Sequence, residues 1–276
     1  MKAAEVLADL LNEQQALDDV VATLNDEQLR FQTPSPRWTI ADQLAHLTYF
    51  DRNAALAITD PEAFQESIRD LLEAAGGGDE GMDQFVLGEW RNLAATDLIS
   101  QWRIGREELA AAAQTLTDSD RISWYGPSMS AKSFLTARLM ECWAHGQDIV
   151  DTLVENGVEA VRTPTVRLAH IARLGYLTRD WSYLNRSMTP PEGDVAVELI
   201  APSPSSDIWR YGESDTDRVS GPAEDFCLVV TQRRHVGDTN LVVEGDLARD
   251  WLLRAQAFAG PATDGPAPTG DRDTGE

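Results

Sequence analysis

Four stretches in the first 160 residues repeat apolar side chains at steps of three and four, a period that suits helices with one buried face. The first runs through Val6, Leu7, Leu10, Leu11, Leu17, Val20, Val21 and Leu24. Pro34 and Pro36 then interrupt the chain, and Thr39 stands at an N-cap position ahead of a second helix with Leu44, Leu47 and Phe50 on its apolar side. The third spans about Asp97 to Leu116 around Leu98, Trp102 and Leu109. A fourth, capped by Ser130, carries Phe134, Leu135, Leu139, Met140, Trp143, Ile149 and Leu153 towards Gly157. Between the second and third, Asp60-Pro61 opens a short helix and Gly76-Gly77-Gly78 closes that stretch, so the connection is a long crossover. Such a bundle can build metal sites from side chains that face each other in its core.

The texture changes in the second part of the chain. One more helical stretch follows Thr163-Pro164, with Leu168, Ile171, Leu174 and Leu177, and Pro190-Pro191 ends it. Val195, Val197 and Leu199 then alternate with Ala196, Glu198 and Ile200, and Ile208, Trp209 and Tyr211 form another short strand. A helix over Ala223 to Arg233, a strand at Leu241-Val242-Val243 and a last helix from Leu247 to Phe258 complete the pattern. The fold class predicted is α+β, and a length of 276 residues favours two domains. Residues 1–160 form the bundle and residues 161–259 a small α+β domain with a leading helix. Residues 260–276, rich in Pro, Gly, Thr and Asp, are too poor in apolar groups to repay their ordering entropy and are expected to be a disordered tail.

With 46 Asp and Glu against 23 Lys and Arg, the formal charge of −23 repels a polyphosphate, so nucleic acid is not an expected partner. The first residues lack the basic head and apolar stretch of a signal peptide, and no run reaches the length of a membrane span. Two unrelated cysteines, Cys142 and Cys227, make neither a disulfide framework nor a CxxC clip. The expectation is a cytoplasmic monomer or homodimer that acts on small molecules and does not engage a membrane.

Glu141 and His145 are four apart on the fourth helix and share a face, so they could grip one divalent ion, with His46 of the second helix as a third ligand. Spacing alone leaves a second reading open: an i, i+4 charged pair on a helix surface, and a satisfied core histidine at position 46. Asp148, three residues past His145, and Asp42, four before His46, are candidates to support the imidazoles from behind, or else solvated helix carboxylates. Trp38, with Trp124, Tyr125 and Trp143, is a candidate pocket wall or ordinary packing. Arg233 and Arg234 suit a substrate carboxylate, or the negative end of a helix.

Three runs carry a family resemblance: the one ending at His46, Arg138 to Asp148, and Asp225 to Arg234. Together they resemble actinobacterial proteins related to mycothiol-dependent maleylpyruvate isomerase, over roughly Val6 to Phe258. The nearest resemblance is to a metal-binding subgroup without an assigned reaction. It implies a DinB-like four-helix bundle that binds zinc through His, Glu and His, at positions matching His46, Glu141 and His145, followed by a sterol-carrier-like α+β domain. The activity implied is that of a mycothiol-dependent isomerase or S-transferase, in which a low-molecular-weight thiol, activated as a metal-bound thiolate, meets an electrophilic substrate. Two other classes stay open at this stage: a non-catalytic protein that binds metal and a small ligand, and a zinc-dependent hydrolase. Two His and one carboxylate also suit non-haem iron.

Overall fold

The computed structural model describes residues 2–270. It divides into two units, with the boundary between Arg162 and Thr163. The first contains α1 (Ala3–Val21), α2 (Ile40–Thr59), α3 (Pro61–Ala75), α4 (Gly78–Leu87), α5 (Ala95–Ala113), a hairpin of β1 (Arg121–Ile122) and β2 (Met129–Ser130), and α6 (Ala131–Glu155). The four long helices are α1, α2, α5 and α6, and α3 with α4 makes the crossover. α2 lies along α5, α1 along α6, and α2 also touches α6. Leu17, Leu44, Leu47, Leu98, Trp102, Ile149 and Leu153 meet in the core.

Helix starts are chemically specified. The Thr39 side chain accepts from the Asp42 amide while Asp42 accepts from the Thr39 amide, a capping box that fixes where α2 begins. Asp60 caps α3 with Pro61 in its first turn, and Ser130 caps α6. A charged pair is buried between α2 and α6. Arg138 of α6 donates to Asp51 of α2 at 2.8 and 3.2 Å, and Gln14 of α1 donates to the other oxygen of Asp51 at 3.1 Å. Both charged side chains are only 3% exposed.

The second unit contains α7 (Leu168–Leu177), α8 (Arg179–Leu184), β3 (Ala196–Ile200), β4 (Ile208–Tyr211), β5 (Arg218–Pro222), α9 (Ala223–Val230), β6 (Val242–Glu244) and α10 (Asp246–Leu252). Its sheet runs β4-β3-β5-β6, parallel between β3 and β5 and antiparallel elsewhere. Val197, Leu199 and Val219 are buried, as are Phe226 of α9 and Trp251 of α10, whose rings meet at 5.9 Å. A ladder of alternating charge crosses the sheet, Arg210 to Glu198 to Arg218 to Glu244.

The architecture is α+β, with differences from the sequence reading. α4, α8 and β5 were not expected, and the last helix stops at Leu252 instead of Phe258. Residues 260–270 are not the loose tail that composition implied. Asn185, Arg186 and Gln256 donate to the carbonyls of Gly260, Thr263 and Pro261, and the Thr269 amide donates to Asp238. Hydrogen bonds from placed side chains hold this segment where apolar burial would not. Residues 271–276 lie outside the described residues. Among the described residues, no helix is long and apolar enough to cross a membrane.

Removing one member of a buried charge pair strands the other. Asp51→Ala is expected to destabilise the protein by about 3–5 kcal/mol, whereas Asp51→Leu combined with Arg138→Met costs much less. Urea unfolding of the single and double variants measures the difference.

Candidate metal centre

α2 and α6 bring three donor side chains together. Glu141 and His145, one turn apart on α6, meet His46 from α2, and one ligand atom from each lies within 4.8 Å of the others. Glu141 Oε2 is 3.1 Å from His145 Nε2 and 3.4 Å from His46 Nε2, and the two imidazole centroids are 4.3 Å apart. The three side chains are 10–22% exposed, so the group is nearly buried without being sealed from solvent. No second group of three His, Cys, Asp or Glu side chains meets in this way among the described residues.

The orientation of His145 is fixed by a residue the sequence reading missed. Gln43, fully buried on α2, gives its Nε2 hydrogens to Thr33 Oγ1 at 2.9 Å and Ser35 Oγ at 3.2 Å. The Thr33 hydroxyl in turn donates to the Trp38 carbonyl. With both donors spent, Gln43 Oε1 is the acceptor facing His145 Nδ1 at 2.5 Å, so Nδ1 carries hydrogen. In the neutral ring Nε2 is then a lone pair aimed at the Glu141 carboxylate. Two acceptors at 3.1 Å repel unless positive charge, a proton or a metal ion, lies between them. Two imidazoles and one carboxylate are a donor set that suits a divalent ion with positions left open.

Burial, reinforced by the charge of His145, drives the His46 pKa down to about 4, against the pull of Glu141. Burial alone would raise the Glu141 carboxyl, but its contacts with the His145 and His46 imidazoles hold it well below the usual carboxylate range. At neutral pH His46 is therefore neutral and Glu141 ionised, the states that bind a metal.

The other expected site residues are distributed differently. Asp42 gives its oxygens to Thr39 and to Arg91 Nε at 2.8 Å, and no hydrogen bond joins it to His46. Its distance from the imidazole follows from its work in the α2 capping box. Asp148 Oδ2 is 3.9 Å from His145 Nδ1, beyond hydrogen-bond length, because Gln43 occupies the nearer position. Trp38 is brought in: its ring lies 5.1 Å from that of His46 and stacks at 6.0 Å on that of His145. Phe50 flanks His46 at 4.5 Å and separates it from Trp124 and Tyr125. Trp143 sits under the Arg162 guanidinium. Arg233 and Arg234 follow α9 in the second unit, where they donate to the Thr231 and Arg233 carbonyls.

Residues 10–150 match the family model of the mycothiol maleylpyruvate isomerase N-terminal domain. Over 256 residues the chain is 42% identical to proteins described as uncharacterised from two strains of Mycobacterium tuberculosis, covering 92% of this chain and 95% of each relative. The chain belongs to the mycothiol maleylpyruvate isomerase family. Crystal structures of the mycothiol-dependent maleylpyruvate isomerase and of its histidine-to-alanine variant share the fold at 16% identity and a TM-score of 0.55. They cover 84–88% of this chain and 90–93% of their own. Gln43 escaped the sequence reading, although a polar amide one turn before His46, among Leu44 and Leu47, was a signal that it has a partner.

Gln43→Leu leaves His145 without its acceptor and is expected to weaken divalent-metal affinity by about 10–100-fold, measured by competition with a chromogenic chelator. The metal-free protein is expected to lose stability as pH falls from 6.5 through about 4, because the unfolded chain takes up a proton on His46 that the folded chain refuses. Urea midpoints across that range should fall steeply for the native chain and less steeply for His46→Gln.

Proposed function

We propose that the chain is a divalent-metal-dependent enzyme of the mycothiol-dependent isomerase or S-transferase kind. In this reading His46, Glu141 and His145 hold the ion, zinc foremost, and leave room for a low-molecular-weight thiol. What supports it is the meeting of two imidazole nitrogens at one carboxylate oxygen, from two helices, in a nearly buried place. A divalent ion held there supplies thiol deprotonation at neutral pH.

The chain's own residues prepare that chemistry. Glu141 is ionised, His46 is kept neutral by burial, and Gln43 holds Nδ1 of His145 as the donor, so that Nε2 is the nitrogen turned towards the ion. Trp38 and Phe50 keep bulk water from the imidazoles. No cysteine of the chain supplies the thiol: Cys142 and Cys227 are buried, and burial pushes both thiols well above their ordinary range. The sulfur therefore comes from outside, and family membership makes mycothiol, drawn from the cytoplasmic pool, the expected cosubstrate. The electrophile has an activated double bond; the sulfur adds to it and leaves after rotation in an isomerase, or remains on the product in a transferase.

Two measurements test this reading. Elemental analysis of protein purified without added metal should find about one divalent ion per chain, and far less in Glu141→Ala. Mycothiol-dependent turnover of maleylpyruvate or another activated electrophile should be present in the native chain and absent in His46→Ala. Turnover without thiol would overturn the reading in favour of a hydrolase, and ligand binding without any turnover in favour of a binding protein.

A further inference from the structure

We propose that Trp38 controls access to the His46–Glu141–His145 group and that Asp83, on the crossover helix α4, is the positioning residue that holds it there. The inference rests on the metal reading for its purpose, and on geometry alone for its mechanics. Among the described residues, Trp38 is the one aromatic side chain in ring contact with both imidazoles. Phe50 lies against His46, and Gln43 stands at Nδ1 of His145. Trp38 is itself half-buried, so its indole separates the more deeply buried imidazoles from solvent.

The backbone of Trp38 is pinned. Its amide donates to the Ser35 carbonyl, and its own carbonyl accepts from the Thr33 amide, the Thr33 hydroxyl and Gln32 Nε2. The side chain is the part left to swing, and beside its ring contacts one hydrogen bond restrains it: Nε1 donates to Asp83 Oδ1 at 3.1 Å. Asp83 is 9% exposed, and its other oxygen accepts from Arg37 Nε at 3.2 Å. Arg37 also reaches Asp79, and its backbone is left-handed, φ 68°, a conformation that non-glycine residues adopt rarely. The turn that aims Trp38 and the acceptor that stops it thus belong to different elements, the loop before α2 and the helix α4. Opening the approach to the triad requires the loss of this charge-assisted hydrogen bond together with the ring contacts to His46 and His145.

The experiment reads access with and without metal. In the metal-free protein, carbethoxylation of His46 and His145 by diethyl pyrocarbonate is followed by peptide mass spectrometry, with His235 of the second unit as internal reference. In zinc-loaded protein, the rate at which excess chelator strips the ion is followed. Asp83→Ala and Trp38→Ala should accelerate both on the order of tenfold, the scale of one hydrogen bond to a charged acceptor. Asp83→Asn keeps an oxygen for Nε1 but not its charge and should fall between the native chain and Asp83→Ala. Arg37→Gly keeps the left-handed turn, removes the ion pairs and should remain close to native. In a Trp38→Phe background, which has no Nε1, Asp83→Ala should add nothing. Unchanged rates in Asp83→Ala, or full additivity with Trp38→Phe, would overturn the inference. If the native chain takes up no ion, the metal reading falls, while the carbethoxylation rates still judge the cover.

Discussion

The candidate centre depends on α2 and α6 meeting in one register, and the buried contact of Arg138 with Asp51 is what holds that register. Arg138 precedes Glu141 by one turn of α6, and Asp51 follows His46 by little more than one turn of α2. A slip of one helix along the other by a turn would part both pairs at once. It would leave two charges in a place where they are 3% exposed, a cost of several kcal/mol per ion. Gln14 adds α1 to the same junction, so three of the four long helices are keyed by one carboxylate. Apolar packing alone is more permissive, since Leu and Ile side chains tolerate small shifts that a guanidinium with two donors on one carboxylate oxygen does not.

What was legible in the sequence was local. The Thr39 and Ser130 caps, the Asp60-Pro61 start and the i, i+4 pair of Glu141 and His145 all rest on interactions within one turn, and each stands in the structure. His46 was harder, because periodicity places it on a helix but does not say which helix its face meets. β5 was missed because Arg218-Val-Ser-Gly-Pro lacks alternation and ends in Gly and Pro. It is a strand because β3 and β6 flank it. α4 begins at a left-handed Gly78 and contains Gly81, residues that ordinarily argue against a helix. Gln43 and Asp83 share one cause of omission: a buried polar group chooses its partner by tertiary approach. Asp42, a candidate by spacing, bonds to Thr39 and Arg91, and Asp148 Oδ2 lies 3.9 Å from His145 Nδ1.

The comparisons and the geometry contribute different things. Identity of 42% over nearly the whole chain places the protein in its family, while the solved isomerase structures, at 16% identity, establish the fold. Neither identifies a reaction. The donor group adds chemistry to that frame: a carboxylate shared by two imidazoles, one of them tautomerically locked, in a chain whose own thiols are buried and inert.

Residues 260–270 bear on how small the second unit can be made. Their carbonyls take hydrogen bonds from the half-buried Asn185, Arg186 and Gln232 and from the buried Gln256. A truncation drawn after Phe258, where hydropathy fades, would therefore remove acceptors and leave these donors to find water at the edge of an apolar core. The second unit thus extends beyond its last helix, to the carbonyls that these side chains hold.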